Sequence, residues 1–115
     1  MVRFDREEID PLGDVPAVLA VLADETRWRI LTEIGDADLS ASALARRLPV
    51  SRQAIAKHLS VLAEAGLVES LRAGREVRYR ALGGRLSAVA AELESIGRRW
   101  DDRLAAIKRI TELSE

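Results

Sequence analysis

The sequence predicts a mainly α-helical fold that includes one small β-hairpin. Apolar residues recur with helical spacing between Val15 and Ala65, two short β-like segments follow Gly66, and helical spacing returns from residue 83 onward. Pro49 and Ser51 separate two of the helices by only a few residues. These three observations indicate about five helices, with the hairpin between the fourth and the fifth.

The composition is that of one globular domain. The chain has 115 residues, of which 48% are apolar and 32% are charged, which allows a modest core. We expect a single domain over residues 15–115, preceded by an arm over residues 1–14. The absence of cysteine excludes disulfides, thiolate nucleophiles and thiolate metal sites. No apolar run approaches membrane length, and the first ten residues lack a signal-peptide core, so we expect a cytoplasmic protein.

The first two helices are predicted from apolar spacing and one capping residue. The segment "VPAVLAVLA" tolerates Pro16 in its first turn, and its apolar positions are Val15, Val18, Leu19 and Leu22. Asp24 is a good N-cap for the second helix, and Gly35 with the following "DAD" ends that helix. The apolar face of the second helix is predicted to contain Trp28, Leu31 and Ile34.

A helix-turn-helix is predicted over about residues 40–66. Ser40 or Ser42 caps a short third helix, and Pro49 prevents its continuation. Ser51 caps a fourth helix that ends at Gly66. The few residues between these helices are the usual connection in this motif.

After Gly66, two elements complete the fold. The segments "LVESLRA" and "EVRYRAL", joined around Gly74, predict a β-hairpin over about residues 67–82. A long helix over about residues 83–113 carries a heptad-like apolar stripe, interrupted by Arg103. The stripe consists of Leu86, Val89, Leu93, Ile96, Trp100, Leu104, Ile107 and Ile110.

Helical periodicity divides the fourth helix into a buried and an outward face. At about 100° per residue, Ile55, Leu59 and Leu62 fall together on the buried side. The outward side carries an amide, cations, a hydroxyl and a small residue, which are suited to base edges and phosphates. Its residues are Ser51, Arg52, Gln53, Ala56, Lys57 and Ser60, with His58 on the flank.

The charge distribution supports the same surface. Residues 1–39 have a net charge of −6 and residues 40–82 a net charge of +5, although the whole chain carries only −1. A basic middle segment suggests a polyanion partner, whereas a solvated surface is the alternative. The cations of the hairpin are Arg72, Arg75, Arg78 and Arg80. The third helix carries Arg46 and Arg47, and these two arginines either meet phosphates or face solvent. Helix-turn-helix followed by a basic hairpin is the order of a winged helix, in which the second helix enters the major groove.

Three segments together resemble the ArsR-type winged helix-turn-helix transcriptional repressors. They are "LADETRWRILTEI", "LARRLPVSRQAIAKHLSVLAEAGLVES" and "RAGREVRYRAL", and the resemblance covers residues 15–82, with the long last helix in the matching position. It implies a homodimer that binds an inverted-repeat operator in double-stranded DNA and represses transcription. It also implies that the first and last helices form the dimer, through Val18, Leu19, Leu22, Leu86, Val89, Leu93, Ile96, Trp100, Leu104 and Ile107. The alternative for the stripe is packing within one chain. Trp28 and Trp100 are assigned to core and interface.

Many relatives of this type sense metals, and here the residues for such sites are absent. The third helix contains no cysteine pair, and residues 83–115 contain no histidine. Because a transition-metal site needs several converging ligands, we expect no regulatory metal and no cofactor. Carboxylates on the last helix, Glu92, Glu94, Asp101 and Asp102, are interpreted as solvated charges. His58, the only histidine, has three readings: a flank residue bonded to backbone or solvent, a contact to DNA phosphate, or, least favoured, a metal ligand.

Other functional classes remain as alternatives. The chain lacks a recognisable nucleophile and base pair and a Gly-rich phosphate loop, so we do not expect an enzyme. A winged-helix module that binds another protein is one alternative. A regulator that responds to a small molecule through a pocket at the dimer interface is another.

Overall fold

The computed structural model of the protein describes residues 11–113, and the helices and strands follow the predicted order. The elements are α1 (Pro11–Leu22), α2 (Glu25–Asp36), β1 (Leu39–Ser40), α3 (Ala41–Arg47), α4 (Arg52–Glu64), β2 (Val68–Ala73), β3 (Glu76–Ala81) and α5 (Gly83–Leu113). The three strands form one antiparallel sheet in the order β1-β3-β2. The predicted class, mainly α-helical with a small hairpin and a long last helix, is confirmed.

Capping side chains define the helix starts. Asp24 accepts from the backbone N–H of Arg27 and caps α2. Ser40, one of the two candidates for α3, accepts from Ala43 N, and Ser51 caps α4 as predicted. Gly66 follows α4 with a φ of 78°, a left-handed conformation that favours glycine and that redirects the chain into β2.

One predicted helix boundary is wrong. α1 begins at Pro11, within the predicted arm, because proline is favoured at the first helical position; Pro16 therefore lies inside the helix. The remaining arm residues, 1–10, lie outside the described residues. α2 ends at Asp36, within the stretch of Gly35 and "DAD" that was predicted to end it, and the chain becomes extended at Ala37. The extended backbone leads into β1, which pairs with β3 through Leu39 and Tyr79.

The core lies where α1 to α4 and the base of the hairpin meet α5. Its buried apolar residues are Val18, Ile30, Ile34, Leu39, Leu44, Leu48, Ile55, Leu59, Leu62, Leu67, Val68 and Val89. The predicted buried face of α4 is thus confirmed. For Trp28, however, the assignment to the core is wrong: 59% of this residue is exposed. The buried side of α2 is centred on Ile30 and Ile34, and Trp28, two positions before Ile30, points away from it.

Candidate nucleic-acid interface

The first two turns of α4 present an uninterrupted polar surface. Arg52, Gln53, Ala56, Lys57 and Ser60 are all exposed, as is the capping residue Ser51. Burial of the opposite side of the helix fixes its rotation, so these side chains face away from the core. Cations, an amide and hydroxyls next to a helix N-terminus form a surface that suits phosphates and base edges.

A groove of about 520 Å³ joins this surface to the hairpin. The first turn of α4 forms one wall, the start of α3 forms the floor, and the tip of the hairpin forms the other wall. The lining residues are Ser40, Ala41, Ser42, Arg52, Gln53, Ala56, Arg75, Glu76, Val77 and Tyr79. Arg52, Gln53, Ala56 and Arg75 were expected to face DNA from the sequence, and the fold brings them to one groove. Tyr79 on β3 packs against the core and also lines the groove.

The hairpin cations do not share one face. Arg72 pairs with Val77 across the two strands, whereas Arg78 pairs with Leu71. Since paired residues in an antiparallel ladder share a face and successive residues alternate, Arg72 and Arg78 lie on opposite faces. Arg75 follows Gly74, which has a φ of 65°, at the turn between the strands. A hairpin with cations on both faces and at its tip is suited to a narrow groove with phosphates on both sides.

The cations also differ in whether they have an acidic partner. Arg78 forms an ion pair with Glu76 at 2.8 Å, and Arg47 forms one with Glu33 at 2.9 Å. In the part of the chain that the structure describes, five of the predicted contact residues form no ion pair: Arg46, Arg52, Lys57, Arg72 and Arg75. These five have charges that no neighbouring carboxylate neutralises, so they carry most of the positive potential of this surface.

Arg80 lies outside the predicted set of contacts and is held by a different carboxylate. Its Nη2 donates to Asp38 at 2.9 Å. The hydrogen bond and the charge of Asp38 raise the pKa of Arg80 above its ordinary value. The pair joins the base of the hairpin to the segment before β1. Arg80 therefore adds a side-chain contact to the pairing of β1 with β3.

His58 contacts a side chain of another helix, and its contact to DNA phosphate stays a prediction. The side chain is half-buried, and its Nδ1 lies 3.3 Å from Nη1 of Arg27 on α2. Nε of Arg27 donates to the carbonyl oxygen of Val21 at 2.7 Å. Among residues 11–113, no group of three His, Cys, Asp or Glu side chains comes close enough to hold a metal ion. The absence of a regulatory metal stays a prediction.

The residues predicted for a dimer interface separate into two groups. Val18 and Val89 are 2% and 5% exposed and belong to the core of the protomer, so they have no free surface for a second copy. Leu22 and Leu86 are half-buried against that core. The remainder are exposed or half-exposed along α1 and α5: Leu19, Leu93, Ile96, Trp100, Leu104 and Ile107. The surface available for a second copy is therefore smaller than predicted and lies mainly on α5.

Sequence reasoning missed three features of this surface. Glu76 lies among the cations of the groove, Asp38 holds Arg80, and Arg27 reaches His58. The alternation of Glu76 and Arg78 on one strand face was a usable signal for their ion pair. The other two contacts join residues 42 and 31 positions apart, and no local pattern indicates them.

The comparisons agree with this geometry. A family model described as a helix-turn-helix domain matches residues 22–70. The chain is 44% identical over 77 residues to the HTH-type transcriptional regulator YuzN of Bacillus subtilis, covering 61% of this chain and 80% of that protein. It is 40% identical over 73 residues to the HTH-type transcriptional regulator Rv2034 of Mycobacterium tuberculosis, covering 64% and 68%. An ArsR-like transcriptional regulator from Rhodococcus sp. RHA1 superposes with a TM-score of 0.79 at 62% identity, covering 89% of this chain and 96% of that one.

Fold and surface together define a winged helix-turn-helix protein, with α3 and α4 as the helix-turn-helix and β2 and β3 as the wing. It is a DNA-binding transcriptional regulator. The chain belongs to the ArsR family of these regulators. No helix in the described part of the chain combines the length and apolarity needed to cross a membrane.

Proposed function

We propose that the protein is a homodimeric, cytoplasmic repressor that binds an inverted-repeat operator and is not controlled by a transition metal. The observation that carries the proposal is the row of unpaired cations along α3, α4 and the wing. Arg52 and Arg75 line one groove, and Arg46, Lys57 and Arg72 lie on the same three elements; within residues 11–113 none of the five forms an ion pair. A surface of this kind binds a phosphate backbone and releases its counterions.

Within this surface, the residues have different roles in the proposal. Gln53 and Lys57 on the outward side of α4 face base edges in the major groove, and Ala56 between them allows close approach. Ser51 and Arg52 at the helix start, with Ser60 one turn beyond Lys57, contact phosphates or base edges. The wing residues Arg72, Arg75 and Arg78 contact the backbone on both sides of the neighbouring groove.

The dimer is supported by the apolar residues that α5 leaves uncovered. Trp100 is 69% exposed, and Leu93, Leu104, Ile107 and Ile110 are exposed as well. A single protomer does not bury these side chains, and a contiguous exposed apolar stripe is typical of an association surface. In a two-fold symmetric dimer, the stripes of the two copies cover each other. The same symmetry relates the two recognition helices, which matches the two half-sites of an inverted repeat.

Metal independence is supported by the ligand chemistry. The chain has no cysteine and one histidine, and Nδ1 of that histidine is engaged by Arg27. On the last helix, Glu94 is ion-paired with Arg98 at 3.3 Å. Transition-metal sites in proteins are built from several nitrogen or sulfur ligands. We also propose no enzymatic activity, since the groove contains no nucleophile with an adjacent base.

A second candidate is a regulator that answers to an apolar small molecule. A cleft of about 220 Å³ lies between α1, α2 and α5, lined by Leu22, Trp28, Leu31, Thr32 and Leu86. It adjoins the stripe that we propose for the dimer. A ligand in this cleft contacts both the core and the proposed dimer interface. Titration with apolar compounds tests this candidate, and a shift in the fluorescence of Trp28 is the expected result.

The proposed function is tested by operator selection followed by charge reversal. Genomic fragments retained by the full-length protein are sequenced and searched for an inverted repeat, and affinity for the selected duplex is measured. Lys57→Glu and Arg78→Glu are expected to abolish binding without changing the oligomeric state. Lys108→Glu, the same change on the exposed surface of α5, is the matched control. Undiminished affinity of both groove variants contradicts the DNA surface and favours a protein-interaction module.

A further inference from the structure

Arg27 connects three helices through one side chain. Its Nε donates to the carbonyl oxygen of Val21 at 2.7 Å, and its Nη1 lies 3.3 Å from Nδ1 of His58. Its backbone N–H donates to Oδ1 of Asp24 at 3.0 Å, which caps α2 and fixes the start of the helix that carries Arg27. The guanidinium thus bridges the last turn of α1 and the middle of the recognition helix α4.

The chemistry at each end favours a guanidinium. The last carbonyls of a helix lack partners within the helix, and the last turn of α1 contains no basic residue of its own. Arg27 supplies the missing donor and positive charge at that end. At the other end, arginine has no acceptor, so Nη1 donates to Nδ1 of His58.

The position of this contact relates the DNA surface to the rest of the protomer. His58 follows Lys57, whose side chain faces the groove side of α4, whereas His58 faces α2. α2 packs against both α1 and α4, and α1 packs against α5. Arg27 therefore lies between the recognition helix and the two helices that we propose for the dimer.

We propose that Arg27, acting through His58, is a positioning residue that sets the orientation of the recognition helix relative to the α1 and α5 layer. In a dimer on an inverted repeat, this orientation determines the distance between the two recognition helices, and hence the fit to two half-sites at once. The inference rests on the proposed dimeric function. It assigns His58 an inward, structural contact to Arg27 in place of a contact to DNA phosphate.

Substitutions of His58 distinguish an inward contact to Arg27 from an outward contact to DNA phosphate. Asparagine and glutamine each place a polar atom at the position of only one of the two ring nitrogens. In asparagine, Oδ1 occupies a place equivalent to Nδ1, so His58→Asn keeps an acceptor for Arg27 and removes the outer nitrogen. In glutamine, the amide lies at the level of Nε2, so His58→Gln keeps the outer group and loses the inner acceptor. His58→Leu removes both, and Arg27→Met removes the donor at similar length.

Affinities are measured for two duplexes, the selected operator and a version with one half-site scrambled, at a temperature where every variant is folded by circular dichroism. We expect His58→Asn to stay within about twofold of wild type on the full operator. We expect His58→Gln, His58→Leu and Arg27→Met to lose roughly three- to tenfold, the range for a typical intramolecular hydrogen bond. The scrambled duplex is expected to show a smaller loss. The double variant Arg27→Met/His58→Leu should be no weaker than either single variant.

Three results overturn the inference. Retention by His58→Gln with loss by His58→Asn assigns His58 to a DNA contact. Equal loss by all three His58 variants shows that the affinity for the operator does not depend on an acceptor at the Nδ1 position. Wild-type affinity in every variant removes any positioning role. Failure of the proposed function appears separately in the wild type, as equal affinity for the full and scrambled duplexes.

Discussion

The carboxylate of Glu76 lies 2.8 Å from Nε of Arg78, two residues along the same strand and at the edge of the groove that we assign to DNA. Both side chains are about half-exposed. The pair therefore competes with DNA for a cation, and Glu76 opposes the approach of phosphate to the groove. An exposed pair of this kind is weak, about 0–1 kcal/mol, so DNA can displace it.

The first prediction concerns this pair. Glu76→Gln is expected to tighten DNA binding by roughly two- to fivefold and to steepen the salt dependence by up to about one counterion, because Arg78 becomes free to contact phosphate. Fluorescence anisotropy between low and moderate salt measures both quantities. Glu69→Gln removes the same charge from β2, away from the groove lining, and serves as control. Weaker binding by Glu76→Gln contradicts the competition and indicates that Glu76 itself contacts DNA.

The second prediction compares two neighbouring arginines on α3. Arg46 is exposed without an ion pair, whereas Arg47 is held by Glu33 on α2 at 2.9 Å. Arg46→Ala is expected to weaken DNA binding by about three- to tenfold and to reduce the salt slope by about one. Arg47→Ala, the matched control, should change affinity by less than about twofold. A larger effect of Arg47→Ala would show that DNA separates Arg47 from Glu33.

The third prediction concerns the stripe on α5. Trp100→Glu is expected to convert the dimer that we propose to a monomer, because the interface proposed on α5 is apolar and burying a charge there is costly. Sedimentation measures the mass, and anisotropy should show weaker binding to an operator with two half-sites. Ala105→Glu is the control, because it places the same charge at an exposed position of α5 that lies roughly 140° around the helix axis from Trp100, away from the stripe. A dimeric and fully active Trp100→Glu variant removes this part of α5 from the interface.

The fourth prediction follows from the cap of α2. The hydrogen bond from the Arg27 backbone N–H lowers the pKa of the Asp24 carboxyl, assisted by the nearby charges of His58 and Arg27 and opposed by desolvation. Because the pKa is lower in the folded protein, the ionised form stabilises the fold above the unfolded value of about 3.9. This contribution is lost as the pH falls through the folded pKa.

Asp24→Asn keeps a capping oxygen and removes the charge. Urea unfolding at pH 7 should therefore show a less stable variant, and the difference from wild type should shrink below about pH 4. Asp36→Asn, at the other end of α2, removes a carboxylate that caps no N-terminus and should not reproduce this pattern. A difference between wild type and Asp24→Asn that persists at pH 2 contradicts the assignment.

The fifth prediction concerns metals. DNA binding is expected to stay the same when Zn²⁺ is added or when a chelator is present, because His58 is the only histidine and the chain has no cysteine. Anisotropy with the selected operator measures the affinity in each condition. The Lys57→Glu variant is tested in parallel. Because it is expected not to bind the operator, any change in its signal reports a non-specific effect of the metal on the probe. Release of the operator by Zn²⁺ in the wild type is the contrary outcome.

Much of the architecture could be predicted because its signals are local. Ser51 and Gly66 bound α4, and the spacing of Ile55, Leu59 and Leu62 fixes which side of that helix is buried. Helix caps, a left-handed glycine and a 3.6-residue period each act within a few residues. The outward set on α4 therefore followed from the sequence once the helix was recognised.

The tertiary structure decided what depends on distant residues. β1 has only two residues and exists because β3 pairs with it. Trp28 had the right apolar character and the right period for the core, but packing selected Ile30 and Ile34. Local periodicity identifies an apolar face, whereas the neighbouring elements determine which part of it they cover.

The same division applies to the DNA surface. The sequence by itself determined which residues are cationic and which helix face presents them, because both are properties of one segment. Only the folded chain decided that Glu33 and Glu76 pair with two of the arginines, and that Arg27 binds His58. Ion pairs and hydrogen bonds need atoms within about 4 Å. That proximity is a product of how the helices and the wing pack.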